Sequence, residues 1–287
     1  MSTTNVLIAG CGYIGTALGA RLAADGYTVW GLRRQARELP PSLHPVAADL
    51  TQPESLRALP PGIDIVFYTA AAHGRTDAGY RAAYVDGVHN LLEALQQQRQ
   101  RPRRLFLTSS TGVYGQGHGE WVDESCAAEP THFSGIRLLE GEALWRESPF
   151  PATVVRLAGI YGPGRSRLID SVRQGTAACP AGEPIYMNLI HRDDCVGALY
   201  RLMRLAYPAP LYLGVDHHPV EKGTLLRWLA TRLAVPSPPL EAESEAMRQR
   251  LRSNKRCRNG RLVAADYAFR YRSFRTGYAA VLAAQSV

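Results

Sequence analysis

Short β-branched and aliphatic runs alternate, through the first half of the chain, with longer stretches in which apolar residues recur at helical spacing. Runs at residues 5–10, 28–32, 44–47, 63–69, 104–109 and 152–157 read as strands, and 14–24, 79–98 and 135–146 as helices. Strand, helix and strand in repetition predict an α/β fold with a doubly wound parallel sheet, helices on both faces and ligands at the carboxyl ends of the strands. After Gly162 the rhythm loosens. Pro163-Gly164, the Pro180 to Gly182 turn and the Pro236 to Pro239 stretch punctuate shorter elements. The expected division is a first domain over 1–162 and a smaller mixed lobe over 163–287 on the substrate side. The two are partly interleaved, because residues 211–214 read as one more strand able to rejoin the main sheet.

Gly10, Cys11, Gly12, Tyr13, Ile14 and Gly15 form a G-x-G-x-x-G loop between the first strand and the first helix, the context in which that pattern binds a dinucleotide. Gly10 permits a tight turn, Gly12 leaves room for a pyrophosphate, and Gly15 lets the helix pack closely on the strand. The helix amino terminus adds amides and a positive dipole end for phosphate. This makes the first domain Rossmann-type. The second strand ends in Arg33 and Arg34, where an acid for the ribose hydroxyls of NAD would ordinarily stand. Guanidinium groups pair with a 2′-phosphate, so NADP is the expected cofactor and NAD the second choice. Asp49 and Leu50 are placed to edge the adenine, and Ala70, Ala71 and Ala72 to form a small-residue floor beside the cofactor; ordinary loop packing is the competing reading of both.

Composition narrows the class. The 287 residues, 46% hydrophobic, suffice for a packed core, and no apolar run reaches the length of a membrane span. The amino terminus leads directly into a strand rather than a signal sequence, so a cytoplasmic location is expected. Five scattered cysteines contain no Cys-x-x-Cys pair, and His73 and His118 lack partners at ligand spacing, so neither a disulfide framework nor a metal site is expected. The net charge of +8 gathers at 99–104 and 248–261. Solvated helix faces explain it most simply. An acidic or phosphorylated small molecule is a second explanation, and nucleic acid is disfavoured because no aromatic residues interleave these clusters.

Taken with the glycine loop, Asp49-Leu50 and Ala70 to Ala72, three further segments carry a resemblance: Thr108 to Gly115 (Thr-Ser-Ser-Thr-Gly-Val-Tyr-Gly), Arg156 to Gly164 (Arg-Leu-Ala-Gly-Ile-Tyr-Gly-Pro-Gly) and Ile190 to Asp194 (Ile-His-Arg-Asp-Asp). From Val6 to about Leu205 the chain resembles the extended short-chain dehydrogenase/reductase superfamily, in an atypical subgroup of its NAD-dependent epimerase/dehydratase branch. The resemblance implies that Ser110 at the end of the fifth strand hydrogen-bonds the substrate oxygen, with Thr111 adding a second hydroxyl, and it sets Ser109 beside the cofactor. The superfamily's Tyr-x-x-x-Lys pair is missing: its positions fall on Ser134 and Leu138, with Arg137 adjacent. Substitutes for the missing proton donor are Tyr161 and His191, the latter at a helix start that Asp193 or Asp194 would cap. Arg137 can orient a ribose but cannot act as a base.

Arg156 reads equally as a ligand for an acid and as half of an internal salt bridge. Lys255 and Arg261 either reach over the pocket to an anion or decorate a solvated turn. The expected function is that of an NAD(P)-dependent oxidoreductase or epimerase/dehydratase-like enzyme acting on a small polar carbonyl or hydroxyl compound, a sugar nucleotide among the options. The alternative is a non-catalytic NADP-binding protein that senses redox state or serves as a scaffold. The helices at 79–98 and 135–146 correspond to those through which relatives form homodimers.

Overall fold

Strand β1 (Asn5–Ala9) is almost wholly buried because it occupies the middle of a seven-stranded parallel sheet. The other strands are β2 (Thr28–Arg33), β3 (His44–Ala47), β4 (Ile65–Tyr68), β5 (Arg104–Ser110), β6 (Ala152–Leu157) and β7 (Leu211–Gly214). Their spatial order is β7-β6-β5-β4-β1-β2-β3, the doubly wound arrangement the sequence predicts. Residues 211–214 do rejoin the sheet, at its edge. Leu7 lies beside Trp30 on one side and Val66 on the other, which fixes the register. The direction of winding reverses between β1 and β4, and such a switch point is where ligands bind in this class of sheet. The computed structural model describes residues 3–241 and 254–285. The basic stretch from Arg248 to Ser253 therefore lies outside the described residues.

Helix α1 (Tyr13–Ala24) follows the glycine loop. The single helix expected at 79–98 is instead two: α2 (Asp77–Arg81) and α3 (Gly87–Gln97) flank a π-helical turn at Ala82–Asp86. Periodicity alone does not show the extra residue, which is tied to tertiary contacts. The buried Tyr68 hydroxyl donates to the Ala83 carbonyl, and Gly141 of α4 (Phe133–Glu147) lies directly against the carbonyl of Tyr84. A side chain at Gly141 would overlap that carbonyl, so helix and turn meet backbone to backbone.

The chain divides into two compact units, Met1–Val113 with His132–Arg156 and Val196–Tyr212, and Tyr114–Thr131 with Leu157–Cys195 and Leu213–Val287. The first has a core centred on Leu7, Tyr68, Leu91, Leu105 and Trp145, and Tyr68 and Trp145 meet edge to face with centroids 5.8 Å apart. The second packs Ile169, Leu189, Leu225, Leu229 and Phe274 around the stacked rings of Tyr161 and Tyr278, 4.4 Å apart. Its strands are short and paired both ways: Gly159–Tyr161 runs parallel to Leu189–His191, and Tyr186–Met187 antiparallel to Val220–Glu221. No helix among the described residues is long and apolar enough to cross a membrane.

Candidate functional site

The glycine loop sits at the carboxyl end of β1, and its backbone is fixed from both sides. The amides of Gly10 and Cys11 donate to Leu32 O at 3.0 and 2.9 Å, and the Thr69 hydroxyl donates to Gly10 O at 3.0 Å. Gly10 has φ +76° and touches the backbone of Ala70, so neither its conformation nor its surroundings admit a side chain. At Gly15 a Cβ would come within 2.6 Å of Thr69 Oγ1 and 2.8 Å of Ile8 Cγ2, which shows how closely α1 approaches the sheet. Gly12 differs: it is exposed, and a Cβ there would meet nothing nearer than Gly10 O at 3.8 Å. The open space lies at the start of a 12-residue helix that has neither a side-chain cap nor an acid in its first turn. Backbone amides and the dipole's positive end are thus available to an anion. Cys11 is buried, with its thiol pushed up chiefly by burial, and Ile14 is buried beside it.

Around this loop the remaining candidates take up different positions. Arg33 ends β2 and its Nη2 pairs with Glu38 Oε2 at 2.7 Å, leaving the other edge of the guanidinium without a carboxylate among the described residues; Arg34 is exposed. Asp49 Oδ1 accepts from the amide and hydroxyl of Thr51 at 3.0 and 2.8 Å, while the Leu50 side chain joins the core. Ala70 is the residue against Gly10, and Ala71 and Ala72 follow it, exposed and half-buried respectively.

At the end of β5 three consecutive hydroxyls diverge. Ser109 donates to Glu142 Oε1 at 2.6 Å, and Arg156 grips the same carboxylate through Nε and Nη2 at 3.0 and 2.8 Å. The structure thereby resolves the two readings of Arg156: it belongs to an internal salt bridge. Ser110 is half-buried and its Oγ accepts from the Gly112 amide at 3.0 Å, an arrangement that leaves its own hydrogen to donate elsewhere. Thr111 is buried in the 3₁₀ turn that follows.

Across the start of α4, the Tyr and Lys positions hold Ser134, buried, and Leu138, also buried. Arg137 is engaged by Asp77 through two hydrogen bonds of 2.8 and 3.0 Å and by Glu140 at 2.9 Å, contacts that push its pKa up. What the sequence reading missed is His132. It caps α4 by accepting the Ser134 amide at Nδ1, and the same nitrogen lies 2.9 Å from Ser134 Oγ. A histidine two residues before the position of the missing tyrosine was the available signal.

The two proton donors imagined in place of the Tyr/Lys pair lie in the second unit. Tyr161 is 3% exposed, its hydroxyl has no hydrogen-bond partner among the described residues, and burial pushes its pKa far up. His191 is held near pKa 4 chiefly by burial. The helix Arg192–Met203 is capped by His191 itself, whose Nδ1 accepts the Asp193 amide at 3.1 Å, rather than by an aspartate. Asp194 instead receives the Tyr267 hydroxyl and the amides of Arg270 and Tyr271 at 2.7, 2.8 and 3.0 Å. Lys255 is no solvated turn residue: it is buried, donates to Tyr114 O at 3.1 Å, and has its pKa lowered by desolvation.

Residues 6–207 match the NAD dependent epimerase/dehydratase family. The chain belongs to that family. Among its curated relatives is Protein YeeZ of Escherichia coli K12, 30% identical over 225 residues that cover 72% of this chain and 76% of YeeZ. Another is dTDP-6-deoxy-L-talose 4-dehydrogenase (NAD(P)(+)) of Kitasatospora kifunensis, 32% identical over 196 residues, 64% of this chain and 61% of that protein. A solved structure from Methylobacillus flagellatus, assigned by its name to the NAD-dependent epimerases/dehydratases, aligns over 100% of both chains with 35% identity and a TM-score of 0.82. The family's dinucleotide fits the residues present: the space over Gly12 and the uncapped start of α1 are what a pyrophosphate requires.

Proposed function

We propose that this family member is an enzyme that prefers NADP and interconverts a hydroxyl and a carbonyl on a small polar substrate of the sugar-nucleotide class. The open glycine loop at the switch point of the sheet is the observation that carries this reading. The preference for the 2′-phosphate rests on Arg33, whose guanidinium has one edge on Glu38 and the other unpaired by any described carboxylate, and on the exposed Arg34. The name of the Kitasatospora relative, a 4-dehydrogenase of a deoxysugar nucleotide, supports the substrate class.

A bound nicotinamide supplies hydride acceptance or donation at the substrate carbon. Proton traffic falls to the chain. Ser110, with a lone pair taken by the Gly112 amide, donates its hydrogen to the substrate oxygen. Ser134 receives the substrate hydroxyl proton as it passes its own to His132 Nδ1, whose lone pair gives up the Ser134 amide to take it, and the reverse reaction returns both protons and restores the cap. An unassisted serine is a poor acid and base near neutral pH, so a neutral imidazole 2.9 Å away is what makes the hydroxyl competent.

Calorimetric titration with NADPH and NADH at one salt concentration tests the cofactor. Arg33→Asp is expected to weaken NADPH about 10-fold or more, about 1.4 kcal/mol, while changing NADH little. Equal losses for both would remove Arg33 from 2′-phosphate recognition. The chemistry is tested by following NADPH oxidation across carbonyl sugar nucleotides. His132→Ala and Ser110→Ala are each expected to lower kcat on the order of 100-fold without changing NADPH affinity.

The burial of Leu138 and the engagement of Arg137 by two carboxylates favour the second reading, a cofactor-binding redox sensor or scaffold. Tight NADPH binding with no turnover of any carbonyl substrate would decide for it.

A further inference from the structure

The basic run at 99–104 does more than solvate a helix end. At the amino-terminal ends of β4 and β5, opposite to the glycine loop, the first unit contains a cavity of about 320 Å³. Its walls include Tyr27, Ile65, Arg103, Arg104, Arg204 and Leu205. Three arginines, Arg104 half-buried and Arg103 and Arg204 exposed, thus line one open pocket of the size that small-molecule sites occupy. None of the three is ion-paired with a carboxylate among the described residues. Arg104 Nη2 donates to Ala206 O at 2.7 Å, Arg103 Nη2 reaches Thr4 Oγ1 at 3.4 Å, and Arg204 Nη1 reaches the Tyr200 hydroxyl at 3.0 Å. Each therefore spends one donor of five and keeps the rest. Burial, and after it the neighbouring charge of Arg103, lowers the pKa of Arg104.

We propose that this cavity is a second anion site, built for a diphosphate group. A single carboxylate would leave most of the positive charge unbalanced. A diphosphate offers both the charge and the oxygens to take forked hydrogen bonds from more than one guanidinium at once. The site lies at the amino ends of the strands and is independent of the cofactor reading.

The test is calorimetric titration of the full chain with inorganic pyrophosphate and, separately, with UDP, in the Gly12→Val background so that the glycine loop does not contribute. Binding of at least one is expected to persist in that background and to weaken about 10-fold or more on adding either Arg103→Gln or Arg204→Gln, with unchanged thermal melting. Tighter binding of UDP than of pyrophosphate would identify a nucleotide as the source of the diphosphate, and the reverse order the free anion. Absence of binding in the Gly12→Val chain, or binding that both arginine variants leave intact, would overturn the site. Neither result bears on NADPH recognition, which is read in the parent chain.

Discussion

Glu142→Ala is expected to destabilise the fold by about 3–5 kcal/mol, lowering Tm by roughly 10 °C, a larger effect than any surface substitution would give. Glu142 has no solvent exposure and Arg156 only 4%, so the pair lies in the interior of the first unit. Both carboxylate oxygens are used, one by Ser109 and Arg156 Nε together and the other by Arg156 Nη2. Truncating the glutamate takes the bidentate carboxylate from a buried guanidinium, and most of the loss comes from the desolvated charge left behind rather than from the attraction removed. The double variant Glu142→Leu with Arg156→Met should recover most of the stability, because it removes the desolvation cost with the pairing. Urea denaturation of Glu142→Leu, Arg156→Met and the double variant closes the cycle. A Glu142→Ala protein within about 1 kcal/mol of the parent would show that the pair does not hold the end of β6 to α4.

Gly12→Val should act in the opposite manner, sparing the fold and abolishing the ligand. A Cβ at that position faces open space, so the free protein has little reason to object. A pyrophosphate drawn to the start of α1 would meet the new methyl groups directly, and loss of at least about 100-fold in NADPH affinity, about 2.7 kcal/mol, is expected. Melting temperature should move little. Gly15→Val is the control: its side chain would collide with Thr69 and Ile8, so affinity and stability should fall together. If Gly12→Val bound NADPH as the parent does, the loop would be a turn and not a cradle.

The sheet was legible because most of its strands are short apolar runs set between helical stretches, information local to about ten residues at a time. Even the return of Leu211–Gly214 to the edge could be read from four residues. The π turn at Ala82–Asp86 could not, since the contacts around it come from Tyr68 and Gly141, far away in sequence. Helix α4 conceals its inward face for a related reason: that face is lined by Ser134, Gly135, Leu138, Gly141, Glu142 and Trp145, a stripe too polar and too small to register as apolar. The shape of the glycine loop was open to reading because the backbone conformation at Gly10 and the space over Gly12 are both encoded in the glycines themselves. Pairings were another matter. Nothing in the sequence says that Arg156 meets Glu142, that Arg33 leans on Glu38, or that Lys255 is buried against Tyr114 O. His132 carries no motif of its own in the sequence, and only the fold shows its Nδ1 against the Ser134 amide and hydroxyl.

The strand order β7-β6-β5-β4-β1-β2-β3 also has a meaning for the nascent chain. The earliest of these seven strands is an interior one, and every later strand is laid down outward from it, β2 and β3 to one side and β4 through β7 to the other. Translation can therefore enlarge the sheet without ever inserting a strand between two already paired. The cost of this vectorial growth falls at its end. Once β6 is complete at Leu157, its free edge stays open through more than fifty residues until Leu211 emerges to cover it, and for that interval the growing polypeptide presents an unprotected sheet edge of the kind holdase chaperones shield.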